Sequence, residues 1–231
     1  MGLFEQTLAE KLDRLSLIHD ETVLNSCAAY YAMVVEANKR QNLTRITDEA
    51  QAAEQHFADA MALCAAFDLP QGCRVVDIGT GAGFPGVPLK LLRPDVDMTL
   101  LDASGKKTDF IKSALANISV QANVLCGRAE ELAAGPLRES FDIAVSRALA
   151  PMPMLLELAV PLLKTGGILA AWKGETYAQE MDEAASAMET LYCKLTGSFA
   201  VGRGAILLIQ KQNPTPDIYP RRFSKIKSAP L

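Results

Sequence analysis

The sequence predicts an α/β fold with a mostly parallel seven-stranded sheet, an antiparallel edge strand and helices ahead of the sheet. From Arg74 onward, short apolar runs alternate with helical stretches, and this alternation is typical of a parallel sheet covered on both faces. The last two apolar runs follow one another with no helix between them, which predicts an antiparallel hairpin at one edge.

The individual elements follow from apolar periodicity and from turn residues. The predicted strands are 75–78, 98–101, 124–126, 141–145, 168–172, 195–201 and 205–209, and the predicted helices among them are 87–93, 105–118, 151–163 and 175–190. Residues 3–68 have helical spacing, and Thr47 is predicted to cap the last of these helices. We therefore predict an N-terminal helical extension over residues 1–70, an α/β core over 71–213 and an irregular basic tail over 214–231.

Charge limits how this chain would meet a nucleic acid. Its net charge is −4, so phosphate contacts have to come from local clusters of bases rather than from the protein as a whole. One cluster lies before Thr47 and the other in the tail; they consist of Lys39, Arg40 and Arg45, and of Arg221, Arg222, Lys225 and Lys227. Each cluster is either a phosphate-contacting or a solubilising segment.

Several classes of protein are disfavoured by the composition. The five cysteines are scattered without a C-x-x-C pair and only two histidines are present, so no metal-ligand spacing appears and free thiols are expected. The N-terminus lacks the basic and apolar regions of a signal peptide, and the most apolar stretch, 152–163, is interrupted by Glu157. We expect a cytoplasmic protein that uses no metal and enters no membrane.

The most informative stretch is 75–86, in which an apolar run leads into Asp77 and then into a run of glycines. A strand, a glycine-rich turn and a helix start bring backbone N–H groups close to a bound ligand. The acid ahead of the glycines would repel a pyrophosphate and attract a cation, and S-adenosylmethionine carries two cationic groups. A second acid, Asp102, ends the next apolar run, where its carboxylate would accept both hydroxyls of a ribose.

The same residues also fit a dinucleotide-binding enzyme. Residues 81–86 match G-x-G-x-x-G, and Asp102 follows at the spacing that this fingerprint requires. A glycine turn with only a structural role is the third interpretation. Asp77, together with Pro85 and Pro88 at the helix start, favours a methyltransferase over a nicotinamide or flavin oxidoreductase.

In a parallel sheet the ligand lies outside the carboxyl ends of the strands, so the residues there are the candidate site residues. Residues 127–131 follow the third strand, where backbone groups and an acid would hold an adenine. Arg147 follows the fourth strand and Lys173 the fifth, and both are expected to face the substrate, with a surface ion pair as the alternative role. His56 and Trp172 are interpreted as structurally satisfied side chains.

These motifs together resemble the RsmG family, also called glucose-inhibited division protein B, of bacterial small-subunit rRNA methyltransferases. The resemblance spans nearly the whole chain and is carried by 42–44, His56 with Asp59, 77–86, 101–107, 128–131, 146–148, 173–174 and 219–222. The combination of Phe84-Pro85-Gly86 with Ser146-Arg147-Ala148 is its most specific part. Ala60 departs from the family pattern, in which a serine is common after the aspartate.

The resemblance implies a Rossmann-like class I methyltransferase fold and transfer of a methyl group from S-adenosylmethionine to N7 of a guanine in 16S rRNA. The guanine is nucleotide 527 in the reference rRNA numbering, and the partner is 16S rRNA or the small ribosomal subunit. The implied cofactor contacts are Gly79, Phe84, Asp102, Ala129, Glu130 and Arg147. The candidate substrate contacts are Arg147, Lys173, Arg221 and Arg222.

No catalytic side chain is predicted, because guanine N7 has a free lone pair and needs no general base before it attacks a methyl group. The tail and the bases before Thr47 are expected to add salt-dependent RNA affinity and to leave cofactor binding unchanged. Two alternative functions stay open: an NAD-dependent oxidoreductase, and a noncatalytic RNA-binding assembly factor that keeps the cofactor fold.

Overall fold

The structure, a computed structural model, describes residues 1–231 and begins with a series of helices. These are α1 (Leu3–Arg14), α2 (Glu21–Gln41), α3 (Glu49–Ala52), α4 (Asp59–Met61) and α5 (Leu63–Ala66). A π-helical turn, Ala53–Ala58, joins α3 to α4. The helical character of this region is as the periodicity predicts, but its last helix is not one regular α-helix.

The start of α3 differs by one residue from the prediction. Asp48, not Thr47, is the N-cap, because the carboxylate of Asp48 accepts a hydrogen bond from the backbone N–H of Gln51 at 2.9 Å. The backbone carbonyl of Thr47 instead accepts a hydrogen bond from the hydroxyl of Tyr31, at 2.6 Å. This contact with α2 holds Thr47 outside the helix.

The core alternates strands and helices from residue 74 onward. Its elements are β1 (Arg74–Ile78), α6 (Gly86–Leu92), β2 (Asp97–Asp102), α7 (Gly105–Asn117), β3 (Asn123–Cys126), α8 (Ala129–Ala133), β4 (Phe141–Arg147), α9 (Met152–Ala159), β5 (Leu163–Lys173), α10 (Tyr177–Glu183), α11 (Ala185–Thr190), β6 (Cys193–Val201) and β7 (Gly204–Lys211). Helix α8 has 5 residues, and the sequence does not predict it because so short a helix shows no 3.6-residue period.

The seven strands form one sheet in the order β3-β2-β1-β4-β5-β7-β6. Strands β1 to β5 pair in parallel, and β7 runs antiparallel to both of its neighbours, β5 and β6. The predicted antiparallel hairpin at one edge is confirmed, with the reversed strand second from that edge. The order of strands changes direction between β1 and β4, and ligands bind outside the carboxyl ends of strands at such a point.

Apolar side chains cover both faces of the sheet, as the continuous apolar strand runs predict. On one face, a cluster of 36 buried residues joins α1, α2 and the π-helical turn to α6 and α7. On the other face, a cluster of 24 buried residues includes side chains of α8, α9 and α11. The N-terminal helices therefore share one hydrophobic core with the sheet.

The C-terminal segment, residues 214–231, packs on the core and contains a last helix, α12 (Phe223–Ser228). Ile226 on α12 is fully buried. The guanidinium of Arg138 donates to the backbone carbonyls of Thr215, at 2.7 Å, and Tyr219, at 2.8 Å. The prediction of an irregular tail is therefore wrong for residues 223–228, because one buried apolar side chain and one cation of the core hold the segment in place.

Candidate active site

The glycine-rich loop after β1 bends around the carboxylate of Asp77. Oδ2 of Asp77 accepts hydrogen bonds from the hydroxyl of Thr80, at 2.6 Å, and from the backbone N–H of Gly86, at 2.8 Å. Its Oδ1 is buried without a partner, and burial raises the pKa of Asp77 to about 7 although both hydrogen bonds oppose the rise. Gly79 and Gly81 have φ of 70° and 60°, which glycine adopts without strain. Asp77 therefore organises the loop from inside the protein, a role beyond the predicted attraction of a cation.

Asp102, at the end of β2, fastens the glycine loop to the start of α7. Its Oδ2 accepts a hydrogen bond from the backbone N–H of Gly81 at 3.0 Å, and its Oδ1 accepts from that of Ser104 at 2.9 Å. Nζ of Lys107 lies 3.8 Å from Oδ2. These contacts fix the direction of the carboxylate, and each oxygen keeps a lone pair for a further donor.

A cavity of about 300 Å³, the smaller cavity, lies at the carboxyl ends of β1, β2 and β3. Four of the predicted cofactor contacts line it: Gly79, Asp102, Ala129 and Glu130. Its two acids, Asp102 and Glu130, accept hydrogen bonds from ribose hydroxyls or amino groups. Two cations, Lys107 and Arg128, also line the cavity and lie within 4 Å of these acids, and its other walls are largely apolar. This set of groups fits the cationic nucleoside S-adenosylmethionine.

Phe84 is almost fully buried and does not line the smaller cavity. The ring of His56 stacks on it with the centroids 4.6 Å apart, and the rings of Tyr30 and Phe57 meet it edge-on. The hydroxyl of Tyr30 also donates to the backbone carbonyl of Ala82, at 2.9 Å. The N-terminal helices therefore hold the glycine loop, and the cofactor contact at Phe84 stays a prediction.

Arg147, at the end of β4, is held by the π-helical turn rather than by a carboxylate. Its Nη1 donates to the backbone carbonyl of Gln55 at 2.7 Å, and its Nη2 lies 3.2 Å from Nδ1 of His56. Its Cζ lies 5.6 Å from the centroid of the Phe84 ring. The alternative of a surface ion pair does not describe Arg147, whose guanidinium has no carboxylate within salt-bridge distance.

Both ring nitrogens of His56 have polar partners. An arginine can only donate, so Nδ1 of His56 is the acceptor and Nε2 carries the proton, 2.7 Å from the hydroxyl oxygen of Thr44. Burial, and to a smaller extent the charge of Arg147, lower the pKa of His56 to about 4. His56 is thus a neutral, satisfied histidine, in agreement with the sequence interpretation, and it positions Arg147.

A second cavity, the larger cavity of about 680 Å³, adjoins the first. Its walls include Gln55, His56 and Asp59 from the N-terminal helices, Arg147 and residues 148–151, and Trp172, Lys173 and Gly174 at the end of β5. The two cavities share Ala148 and Leu149. A Cβ atom on Gly79 would lie 2.5 Å from Cδ1 of Leu149, so this side chain closely approaches the glycine loop. The 148–149 turn therefore stands between the two cavities.

Lys173 is neutralised inside the larger cavity. Its Nζ donates to Oε2 of Glu180 and to the backbone carbonyl of Ala150, both at 2.7 Å, and its side chain is 8% exposed. The ion-pair alternative thus describes Lys173, and a phosphate would have to compete with Glu180 for it. Substrate contact by Lys173 stays a prediction that this geometry does not favour.

Asp59 is the acid of the larger cavity whose carboxylate has no hydrogen bond or ion pair. The indole N–H of Trp172 donates to the backbone carbonyl of Asp59, at 2.8 Å, and leaves the side chain free. Burial raises the pKa of Asp59 to about 6, and Arg147 opposes the rise. The sequence marks His56 and Asp59 as a family motif, but the π-helical turn breaks the 3.6-residue period that would have shown which side chains face the cavity.

The two tail arginines have different surroundings. The guanidinium of Arg221 binds both carboxylate oxygens of Glu157, with Nε 2.8 Å from Oε1 and Nη2 2.5 Å from Oε2. Glu157 is fully buried, whereas Arg222 is exposed and its side chain is unpaired. Arg221, a predicted substrate contact, is therefore already paired with a carboxylate, and this geometry does not favour a phosphate contact there. Arg222 stays a candidate phosphate contact.

The basic cluster before Thr47 is also partly neutralised. Nζ of Lys39 lies 2.5 Å, and Nη2 of Arg40 lies 3.8 Å, from carboxylate oxygens of Glu36 on the same helix. Glu36 lies one helical turn ahead of the cluster, so inspection of the basic residues alone does not include it. Arg45 is exposed and unpaired, which leaves it as the free charge of this cluster.

None of the helices combines the length and the hydrophobicity needed to span a membrane. No group of three or more histidine, cysteine, aspartate or glutamate side chains is arranged to hold a metal ion. All five cysteines are free thiols.

Comparison of the sequence with known families finds one match over most of the chain. A family model described as rRNA small subunit methyltransferase G matches residues 23–204. A protein of that name from Moorella thermoacetica is 42% identical over 88% of this chain and 88% of its own length. Proteins of the same name from Desulfitobacterium hafniense and Staphylococcus aureus are 38% and 34% identical, and the matches cover 94% and 97% of this chain and 93% and 97% of theirs.

Comparison with solved structures agrees on the fold. An S-adenosylmethionine-dependent methyltransferase from Aquifex aeolicus has a TM-score of 0.54 at 18% identity, covering 71% of this chain and 93% of that one. A protein from Agrobacterium tumefaciens described as a predicted O-methyltransferase has a TM-score of 0.53 at 21% identity, covering 68% of this chain and 82% of that one. At these identities the likeness establishes the fold alone, which is the Rossmann-like class I methyltransferase fold predicted from the sequence.

Proposed function

Because this chain belongs to the rRNA small subunit methyltransferase G family and is an S-adenosylmethionine-dependent methyltransferase, we propose that it methylates N7 of a guanine in 16S rRNA. The proposed nucleotide is 527 in the reference rRNA numbering, and the proposed partner is 16S rRNA or the small ribosomal subunit in the cytoplasm. Family membership removes the NAD-dependent oxidoreductase from the alternatives.

The observation that carries the proposal is the pair of adjoining cavities at the carboxyl edge of the sheet. The smaller one is lined by two acids, two cations beside them and apolar groups, and the larger one is wide enough for a nucleobase and holds both a cation and a free acid. They meet at Ala148 and Leu149, so a nucleoside cofactor and an acceptor base would lie side by side. Such positioning of two reactants supplies about 7–11 kcal/mol of a reaction barrier.

Residues of the smaller cavity hold and orient the cofactor. The carboxylate of Asp102, fixed by Gly81 and Ser104, accepts the ribose hydroxyls, and Glu130 accepts a donor at the other end of the nucleoside. Asp77 stiffens the loop that carries Gly79. When bound, S-adenosylmethionine supplies an electrophilic methyl group on a sulfonium leaving group.

No residue of the larger cavity has to remove a proton from the base. Guanine N7 presents a lone pair in the neutral base, and His56, whose Nδ1 faces Arg147 and whose pKa is about 4, is not available as a base. Methylation at N7 makes the guanine a cation. The free carboxylate of Asp59 in the same cavity stabilises this developing positive charge.

Asp59 also supplies a means of selecting guanine. A carboxylate accepts hydrogen bonds from two adjacent donors, and guanine offers N1–H and the N2 amino group on one edge. Adenine lacks that pair of donors. Arg147, held by Gln55 and His56, keeps N–H groups that are free to bind the base or its phosphate.

Mapping of 7-methylguanosine tests the proposal. Small ribosomal subunits from a strain that lacks this protein should have an unmethylated guanine at the proposed position, and purified protein with S-adenosylmethionine should restore the modification there. Restoration at another nucleotide would correct the target. Binding to the subunit without any methyl incorporation would instead favour the noncatalytic assembly factor.

A further inference from the structure

The C-terminal segment closes one side of the smaller cavity. The ring of Phe223, the first residue of α12, lines this cavity together with Asp102 and Glu130. Although the segment lies at the end of the sequence, it is therefore close in space to the predicted cofactor residues. The residue of this segment that lines the cavity is the aromatic Phe223, not one of its charged residues.

The position of Phe223 is fixed from the cofactor side. The guanidinium carbon of Arg128 lies 5.1 Å from the centroid of the Phe223 ring, which is the distance of a cation–π contact. Arg128 immediately precedes Ala129 and Glu130, two of the predicted cofactor contacts, and its Nη1 lies 3.9 Å from Oε1 of Glu130. The ring thus packs against the same turn that lines the cavity.

Three further contacts anchor the segment around this ring. Arg221 binds the buried carboxylate of Glu157 on α9 through its side chain, and its backbone N–H donates to the same carboxylate at 2.8 Å. Arg138 holds the chain ahead of it through two carbonyls, and Ile226 is buried behind it. Phe223 therefore has fixed neighbours on both sides in sequence.

We propose that the C-terminal segment is part of the cofactor site and that Phe223 contacts the adenosine moiety of S-adenosylmethionine. An aromatic ring beside two carboxylates and apolar walls suits a purine nucleoside, whose base stacks on the ring and whose hydroxyl and amino groups reach the acids. The proposal is the opposite of the expectation that the tail leaves cofactor binding unchanged, and the experiment below decides between them. The proposal rests on the cofactor of the family and not on the RNA target proposed above.

Calorimetric titration of full-length protein with S-adenosylmethionine, in the absence of RNA, tests the contact. Phe223→Ala should weaken binding at least about fivefold, the smallest loss expected for an aromatic–base contact, while Phe223→Tyr keeps the affinity. The matched control is Lys225→Ala, an exposed residue of the same helix that should bind as the wild type does. Equal affinity of Phe223→Ala and the wild type would overturn the proposal.

A measurement on the unaltered protein covers the case in which Phe223→Ala does not fold. Adenosine should slow hydrogen exchange of the α12 amides, and methionine should not, because the contact is with the adenosine part. Exchange in α12 that is unaffected by adenosine, although the ligand protects the glycine loop, would refute the contact. Failure of the wild type to bind S-adenosylmethionine would instead count against its assignment as a methyltransferase.

Discussion

The N-terminal helices and the C-terminal segment both lie outside the sheet, and each closes one cavity of the candidate site. The N-terminal helices bring Gln55, His56 and Asp59 to the larger cavity, and the C-terminal segment brings Phe223 to the smaller one. They are attached by different forces. Phe57, in the π-helical turn, is fully buried against Phe4 and Phe84. The C-terminal segment combines the Arg221–Glu157 pair and the Arg138 contacts with one fully buried side chain, Ile226, and its other apolar side chains that pack on the core, Tyr219, Phe223 and Leu231, are only partly buried.

Because of this difference, we expect the N-terminal helices to contribute mainly to stability and the C-terminal segment mainly to ligand affinity. The N-terminal helices belong to the larger apolar cluster, so they cannot be weakened without weakening the core itself. The C-terminal segment is held by ion pairs and hydrogen bonds together with one fully buried side chain, so we expect its loss to leave the sheet and both layers of helices in place. Mutations in the two regions should therefore separate stability from ligand affinity.

The largest effect is expected from Phe57→Ala, which opens a cavity at the junction of the N-terminal helices and the glycine loop. Truncation of a buried phenylalanine costs about 3–5 kcal/mol of the free energy of unfolding. Urea denaturation should show this loss, and Phe223→Ala should lose clearly less because its side chain is only partly buried. Equal losses at the two positions would mean that both regions are part of the folding core.

A smaller loss of stability is expected from Arg221→Ala, which leaves the carboxylate of Glu157 buried without its cation. Hydrogen bonds to charged groups contribute about 1.5–3 kcal/mol, so the free energy of unfolding should fall by about that amount. Arg222→Ala is the matched control, since the neighbouring arginine is exposed and unpaired. It should leave stability unchanged and instead lower the log–log salt slope of RNA binding by roughly 0.7 if Arg222 meets a phosphate. The reverse pattern would contradict the assignment of the two arginines.

Asp59→Asn should reduce kcat/KM for methylation roughly tenfold, equivalent to about 1.4 kcal/mol, without changing the affinity for S-adenosylmethionine. The reason is the lost acceptor for the guanine edge. Subunits reconstituted from ligated 16S rRNA with inosine at the target nucleotide lack the N2 amino group. The wild type should be less active on inosine-containing subunits than on guanosine-containing subunits. For Asp59→Asn, the activities on the two substrates should be nearly equal. An inosine penalty of the same size in both proteins would show that Asp59 does not face that edge.

The smallest expected effects concern the pH dependence of stability. His56 and Asp59, both in the N-terminal helices, should change the free energy of unfolding in opposite directions as the pH changes. Burial lowers the pKa of His56 from 6.5 to about 4, so the unfolded chain binds more protons in that window and the contribution of His56 falls as pH falls. Burial raises the pKa of Asp59 from 3.8 to about 6, so its contribution falls as pH rises through that window.

Urea denaturation between pH 7 and pH 4 tests these two directions. Relative to the wild type, His56→Gln should become more stable on acidification, and Asp59→Asn should become less stable. Curves that stay parallel to the wild type for both variants would mean that neither side chain titrates as its burial implies.

The parts of this molecule that sequence reasoning predicts are those set by local pattern. The strands and the glycine loop follow from apolar runs and from glycine spacing, and Asp102 is found because it ends a strand. The partners of Arg147 lie more than 90 positions away on an irregular helical turn, and no periodicity connects them. The pairing of Lys173 with Glu180, and of Arg221 with Glu157, likewise depends on tertiary placement. The sequence alone therefore overestimates the number of charged side chains that are available to bind a ligand, because it does not show which of them are paired.

The turn formed by Ala148 and Leu149 has a thermodynamic consequence, since it is a wall of both cavities. Any rearrangement of that turn by one occupant alters the binding free energy of the other, and linkage requires the same factor in both directions. If the bound nucleoside tightens binding of the base, the base must tighten binding of the nucleoside equally. The reaction changes both occupants at once, from cationic cofactor and neutral base to neutral cofactor and cationic base. If the turn responds to the charge of its two neighbours, the pair of substrates and the pair of products would therefore bind with different cooperativity.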